Sequence, residues 1–233
     1  MCSARRFACL AATLLVGSAF GEAPLRLTTH ELPPYSFAGT GARPGGVAVN
    51  VVDCAAQAIG QPLEVGIYPW ARAQAMVRDG HADGFFAASQ SPARDEFAVL
   101  SAVIAPQEWR WYFPAGSNVK PSSDKFRKEA RVGSFLGGNM LSWLKENGYR
   151  VAASPLSNDQ MLQMLMRGRV DAILANNLVM DELLVAHGLQ ARIRSELLQD
   201  KPLGVYFSKI FLERNPGFLQ RFNEAVGKCR KPG

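Results

Sequence analysis

The sequence has 233 residues, with 26 Lys and Arg against 20 Asp and Glu, a formal net charge of +6, and 48% hydrophobic residues. That length suits one large domain or two small lobes. The basic residues are scattered rather than clustered, which excludes a nucleic-acid-binding stripe, and no run past the N-terminus reaches the ~18 apolar residues of a membrane helix.

Arg5 and Arg6 precede the short apolar run FACLAATLLVG, and Ala19-Phe20-Gly21 supplies small residues where a signal peptidase reads. This reads as an export leader over residues 1–21, cleaved after Gly21, and it implies the periplasm. The mature chain would keep about 210 residues and a mildly positive charge. Of the four cysteines, Cys54 and Cys229 would remain. An oxidising compartment allows a disulfide between them; one buried cysteine and one loose thiol is the other reading. Neither stands near His30, His81 or His187 at metal-ligand spacing, so no metal or cofactor is expected.

In chain order, LRLTT (25–29) reads as a strand entering the turn-prone HELPPYSF. Val47, Val51, Val52, Ala55, Ala56 and Ile59 recur at helical spacing, and Gly60 stops that helix. LEVGIY (63–68) alternates as a strand, Pro69 opens a helix over 70–79, and ADGFFAAS follows as a strand. After residue 130 the rhythm recurs. RVGSF (131–135) is a strand ending at Gly137-Gly138, and a helix runs on to Asn147. RVAAS (150–154) is a strand, Ser157 and Gln160 form a capping box, and RVDAILA is a buried-type strand. A last helix covers 217–226.

Alternating strands and helices predict an α/β protein with mainly parallel sheets. The rhythm runs twice, separated by the extended segment VIAPQEWRWYF (103–113), and KPLGVYFS (201–208) precedes the final helix. Two lobes joined by two crossing strands account for both segments. Strand ends and helix N-termini then converge on a cleft, where free N–H groups attract anions.

The stretch DGFFAASQSPARDEF (83–97) matches such a site. Its small residues let a ligand approach the backbone, and its hydroxyls and Arg94 suit a carboxylate. The same residues allow plainer readings. Arg94 could form a surface ion pair with Asp95 or Glu96, Ser89 and Ser91 a strand end and Ser-Pro turn. Asp83 and Asp171, each at a strand start, read as structural contacts in separate lobes. Trp109 and Trp111 share one strand face and either pack the hinge or border the cleft.

Four motifs in order carry a family resemblance: Pro-Pro-Tyr (33–35), Arg-Asp-Gly-x-Ala-Asp-Gly (78–84), Ser-Pro-Ala-Arg (91–94) and Arg-Gly-Arg-Val-Asp-Ala-Ile (167–173). With them the chain, from about Leu25 to Val226, resembles the family 3 extracellular solute-binding proteins, the periplasmic receptors of polar amino-acid ABC transporters. The resemblance implies a two-lobe, type II-like periplasmic binding protein fold. It divides the chain into 22–108 plus 206–233 as the first lobe and 109–205 as the second. It implies that Arg94 grips a ligand carboxylate, helped by Ser89 and Ser91, with Gly137, Gly138 and Asn139 meeting it from the opposite lobe. Tyr35 and Trp70 would wall the ligand body; packing of the loop and of the first lobe's core are their plainer roles, and Gly137-Gly138 alone suits a tight turn.

The chain also departs from the family's pattern. Asn176 occupies the place where amino-acid binders usually carry an aspartate for the ligand's ammonium. Gly138 stands where many relatives have threonine or serine, and the stretch from Asp83 to Arg94 is one residue shorter than the common form. The expected function is capture of a small polar, carboxylated solute, an amino acid or a related compound, by lobe closure and its delivery, as a monomer, to an inner-membrane ABC permease. One alternative is a cyclohexadienyl (arogenate) dehydratase-like enzyme on the same fold, with Glu31 and Glu108 as carboxylates at the cleft edge. The other is a soluble sensor for a membrane signalling protein.

Overall fold

The computed structural model describes residues 23–39, 41 and 43–230; the expected leader over 1–21 lies outside them. Leu25 and Leu27 start the first strand, β1 (Leu25–Thr29), which leads through the Pro-Pro-Tyr turn to α1 (Val47–Ala58). There follow β2 (Leu63–Ile67), α2 (Trp70–Arg78), β3 (Gly84–Ser89), the short α3 (Pro92–Asp95) and β4 (Ala98–Leu100). The chain then crosses to β5 (Glu108–Pro114), α4 (Asp124–Glu129), β6 (Val132–Gly133), α5 (Asn139–Glu146), β7 (Val151–Ala153) and α6 (Asn158–Met166). β8 (Ala172–Asn176), α7 (Asn177–Ala186) and β9 (Ile193–Asp200) complete the second lobe. The chain returns through β10 (Leu203–Ser208), α8 (Lys209–Arg214) and α9 (Phe218–Cys229).

Two five-stranded sheets result, ordered β2-β1-β3-β10-β4 and β7-β6-β8-β5-β9. In each, three strands run parallel and the fourth is an antiparallel strand bordering a crossover between the lobes: β10 in the first sheet, β5 in the second. The α/β, two-lobe expectation is borne out. The crossing points differ from those expected. Leu203, Gly204 and Val205, assigned above to the second lobe, pair with β3 of the first sheet, while Glu108 pairs with Asp200 in the second. LGVYFS is buried along its whole length, so a boundary inside it would leave half a strand unpaired. The crossing segments are instead 105–107 and 201–202, held side by side by Leu203 N–H to the Ala105 carbonyl (2.9 Å) and by Lys201 N–H to the Gln107 carbonyl (2.8 Å).

Strand periodicity places the core. Phe85 and Tyr206 face α2, with rings 5.2 Å apart, whereas their neighbours Phe86 and Phe207 face α1 and α9. On α9, Phe218 and Phe222 pack against Phe207 at 5.2 and 4.9 Å. Cys54 of α1 and Cys229 of α9 form a disulfide, which ties the C-terminal helix to the first lobe. In the second lobe, Met161, Leu162 and Leu165 of α6 pack on one face of the sheet, and Trp111, Phe126 and Leu144 on the other.

Asp83 and Asp171 are structural, as expected. Asp83 accepts from Arg26 N–H (2.8 Å) and Asp171 from Arg131 N–H (2.7 Å), so each carboxylate closes the N-terminal end of the neighbouring parallel strand. The Arg131 guanidinium holds the Asp171 carboxyl below its ordinary pKa.

Candidate functional site

β3 is irregular at one point. Ala88 pairs with Gly204 and Phe86 with Val205, which leaves Ala87 as an extra residue between them, at φ +59°. Alanine in the left-handed region is strained, because its Cβ crowds the following carbonyl. Bulges of this kind re-aim the backbone beside them. Here the strand ends at Ser89, and Ser91 starts a helical turn whose N–H groups at Arg94 and Asp95 bond the Ser91 carbonyl. That turn directs Arg94 back under the strand end.

Arg94 is only 5% exposed. Its Nε donates to Gln74 Oε1 (2.9 Å), one terminal nitrogen donates to the Ser89 carbonyl (2.8 Å), and the guanidinium lies 5.0 Å from the centre of the Trp70 ring. All these partners are neutral. The surface ion-pair reading fails, because Asp95 is engaged elsewhere: its oxygens accept from Tyr206 Oη and Gln90 Nε2. Burial lowers the Arg94 pKa to about 10, so it stays charged at neutral pH. Asp95 nearby favours the charge without contacting it, and a buried guanidinium with no direct ion pair is costly.

Arg94 lines a cavity of about 50 Å³ between the lobes. From the first lobe His30, Trp70, Ala87 and Ser89 join it; from the second come Phe135, Gly138, Asn139 and Asn176. Gln107, Trp109 and Leu203 close it at the hinge. Asn139, at the first turn of α5, donates its amide across the cleft to Ser89 Oγ (3.1 Å) and to the Ser89 and Gln90 carbonyls (3.2 and 3.3 Å). The lobes are therefore latched closed, and Arg94 and Asn139 face the same cavity from opposite sides.

Of the residues named from sequence, Trp70, Ser89, Arg94, Gly138, Asn139 and Asn176 meet here. Tyr35 does not. It is fully buried in the first lobe's core, and its hydroxyl donates to the Pro106 carbonyl (2.9 Å), where it braces the crossing segment. Ser91 does not line the cavity either; its N–H donates to Tyr206 Oη (3.0 Å) and its role is to start the Arg94 turn. Gly137 takes φ +79° and provides the turn into α5. Glu31 and Glu108 also lie outside the lining: Glu31 accepts from Ala38 N–H, and Glu108 pairs with Arg110. Trp109 borders the cleft, whereas Trp111 packs in the second lobe's core.

Sequence reasoning missed His30 and Phe135. The His30 ring centre lies 4.2 Å from Trp70 and 6.5 Å from Phe135. Burial, with Arg94 adding to it, lowers the His30 pKa to about 3, so the ring is neutral. A histidine directly after an apolar strand, beside a turn, was the available signal.

No family model and no curated protein matches the chain by sequence. Solved structures do match it. A histidine kinase sensor domain with similarity to periplasmic binding proteins aligns with TM-score 0.77 and 16% identity, over 89% of this chain and 90% of that one. The fold is that of the periplasmic binding proteins. The GluR0 ligand-binding core from Nostoc punctiforme, solved with L-glutamate, aligns with TM-score 0.73 and 15% identity over 88% and 92% of the two chains. ArtJ of Geobacillus stearothermophilus, an arginine-, lysine- and histidine-binding protein, aligns with TM-score 0.71 and 17% identity over 88% and 89%. The expected likeness to the family 3 binding proteins is thus borne out in fold.

Proposed function

We propose that this protein captures a small carboxylated solute between its lobes and presents the closed form to an inner-membrane ABC permease, working in the periplasm as a monomer. The observation that carries this reading is Arg94, buried and charged in the interlobe cavity with only neutral partners. A ligand carboxylate supplies the missing charge and accepts the guanidinium N–H groups in parallel. The solute meets the first lobe, and Asn139 and Gly138 of the second lobe close over it, so binding shifts the open–closed population. A micromolar affinity needs about −8.2 kcal/mol. One ion pair does not supply that, and contact with Trp70, His30 and Phe135 contributes the rest.

Among the described residues no Asp or Glu lines the cavity and His30 there is held neutral with its pKa lowered to about 3, which favours capture over chemistry, since an acid–base dehydration draws on a titratable group poised near the working pH. The likeness to a histidine kinase sensor domain supports a second reading, in which the closed form is read by a membrane signalling protein. The test is titration of mature protein, refolded to strip carried-over ligand, with small carboxylates and with amines, followed by Trp70 and Trp109 fluorescence. Saturable binding of a carboxylate, lost in Arg94→Ala, supports the receptor. Binding of amines alone, unchanged in the variant, overturns it, and turnover of an added carboxylate would make the protein an enzyme.

A further inference from the structure

Besides the guanidinium, the cleft holds two polar atoms whose hydrogen-bonding capacity is unused. Asn176 Oδ1 and His30 Nδ1 are buried without a partner, on residues each 6% exposed. They come from different lobes, Asn176 from the end of β8 and His30 from just after β1, and both line the cavity. Leaving such groups unpaired costs free energy in a folded protein. Two together in one cavity mark the positions a ligand's polar groups take.

The charge of the lining fixes which polar groups those are. Arg94 is a charged side chain of the cavity, and among the described residues no Asp or Glu lines it. An α-amino acid would place its carboxylate on Arg94 and then bury an ammonium with no anion to meet it. Asn176 Oδ1 accepts one hydrogen bond but carries no charge, and a desolvated cation without a counter-charge is strongly disfavoured. The field of Arg94 opposes a second positive group further, as it does at His30. A neutral donor avoids both penalties: one O–H or amide N–H satisfies Asn176 Oδ1, and an adjacent oxygen or hydrogen satisfies His30 Nδ1.

Building on the receptor reading above, we propose that the ligand is a small monoanionic carboxylate carrying a neutral hydroxyl or amide donor, and not a zwitterionic α-amino acid.

The experiment compares matched pairs that differ only in hydroxyl against ammonium: glycolate with glycine, and L-lactate with L-alanine, with propionate as the acid lacking a donor and lactamide as the donor lacking an acid. Calorimetric titration of the refolded full mature chain should give the hydroxy acid at least about tenfold tighter binding than its amino partner and than propionate, a difference of ~1.4 kcal/mol. In Asn176→Asp, the added carboxylate should reverse the order within each pair. The wild-type comparison stands even where that variant folds poorly. An amino acid bound as tightly as its hydroxy partner overturns this proposal and leaves the receptor reading intact. Binding of lactamide but of no acid overturns the receptor reading, and this proposal with it, as does the failure of every probe to bind.

Discussion

Asn139 of the second lobe donates its amide to Ser89 of the first at 3.1 Å, and the same amide reaches the Ser89 and Gln90 carbonyls. One side chain therefore latches the lobes directly over Arg94, whose guanidinium holds that same Ser89 carbonyl from below. Closure and the charged anchor converge on a single residue. Asn139→Ala should raise the open population, enlarging the radius of gyration seen by small-angle scattering. Loss of such hydrogen bonds amounts to about 1–2 kcal/mol, so ligand affinity should fall roughly 5- to 30-fold, with the change in the dissociation rate.

The burial of Arg94 away from any salt-bridge partner predicts a cost in stability. Arg94→Met keeps the length and the contact with Trp70 while removing a buried charge that has no acidic partner. Its thermal midpoint without ligand should rise, because replacing an unpaired buried ion by an apolar group is stabilising. Its ligand-induced shift should vanish. A variant less stable than the parent would mean that the bonds to Gln74 and Ser89 outweigh the desolvation of the charge.

The bulge at Ala87 stores strain beside the cavity. Ala87→Gly should stabilise the protein by about 1 kcal/mol, because glycine occupies the left-handed region without a Cβ clash. Denaturant melts read this directly. No gain would show that the Ala87 methyl, buried between β3 and the cleft, contributes as much by packing as its backbone costs.

Acid sensitivity should begin with His30. Its folded pKa of about 3 lies below the ordinary value of 6.5, so between these values the unfolded chain takes up a proton that the folded chain refuses. Stability is therefore full above 6.5 and falls as the pH drops toward 3, by about 1.4 kcal/mol per pH unit for this one group. Asp171 adds a second loss at lower pH. Its carboxyl is held below the ordinary range by Arg131, so its contribution is present at neutral pH and disappears as the pH falls through its lowered pKa. Urea melts from pH 7 to pH 4 on wild type and His30→Phe should differ in slope over that window; identical slopes would place the acid limb elsewhere.

Cys54 and Cys229 close a loop of 175 residues, for which chain entropy alone implies about 5 kcal/mol. The double serine variant should unfold at markedly lower denaturant, yet bind ligand unchanged, since neither cysteine borders the cleft. Reduction of the wild type should reproduce the same loss.

Much of the architecture was legible in the residues themselves. Apolar spacing located α1 and α9, Pro69 and the Ser157–Gln160 capping box located α2 and α6, and the repeated strand–helix rhythm located two lobes, because burial and helix ends impose their patterns on any sequence that folds this way. Less periodic elements escaped. β9, with IRSELLQD largely exposed at a sheet edge, has too little buried surface to mark it, and α7 starts directly from β8 with no break between them. A charged residue in the cleft was legible too, since small residues, hydroxyls and one arginine in 83–97 are a chemical signature and Arg94 does line the cavity. Which side chains line the cavity was not. Tyr35 and Ser91 sit in the right motifs yet point into the first lobe, and His30 enters from a strand end that carries no motif. Sequence determined the two-lobe frame and the sign of the charge in its cleft, because both follow from residue type and spacing along the chain. The tertiary structure decided that Arg94 stands without an acid, that Asn139 latches over it, and that Asn176 and His30 keep unspent hydrogen bonds. Those facts depend on groups tens of residues apart being brought within 3 to 5 Å by packing, and spacing along the chain does not encode them.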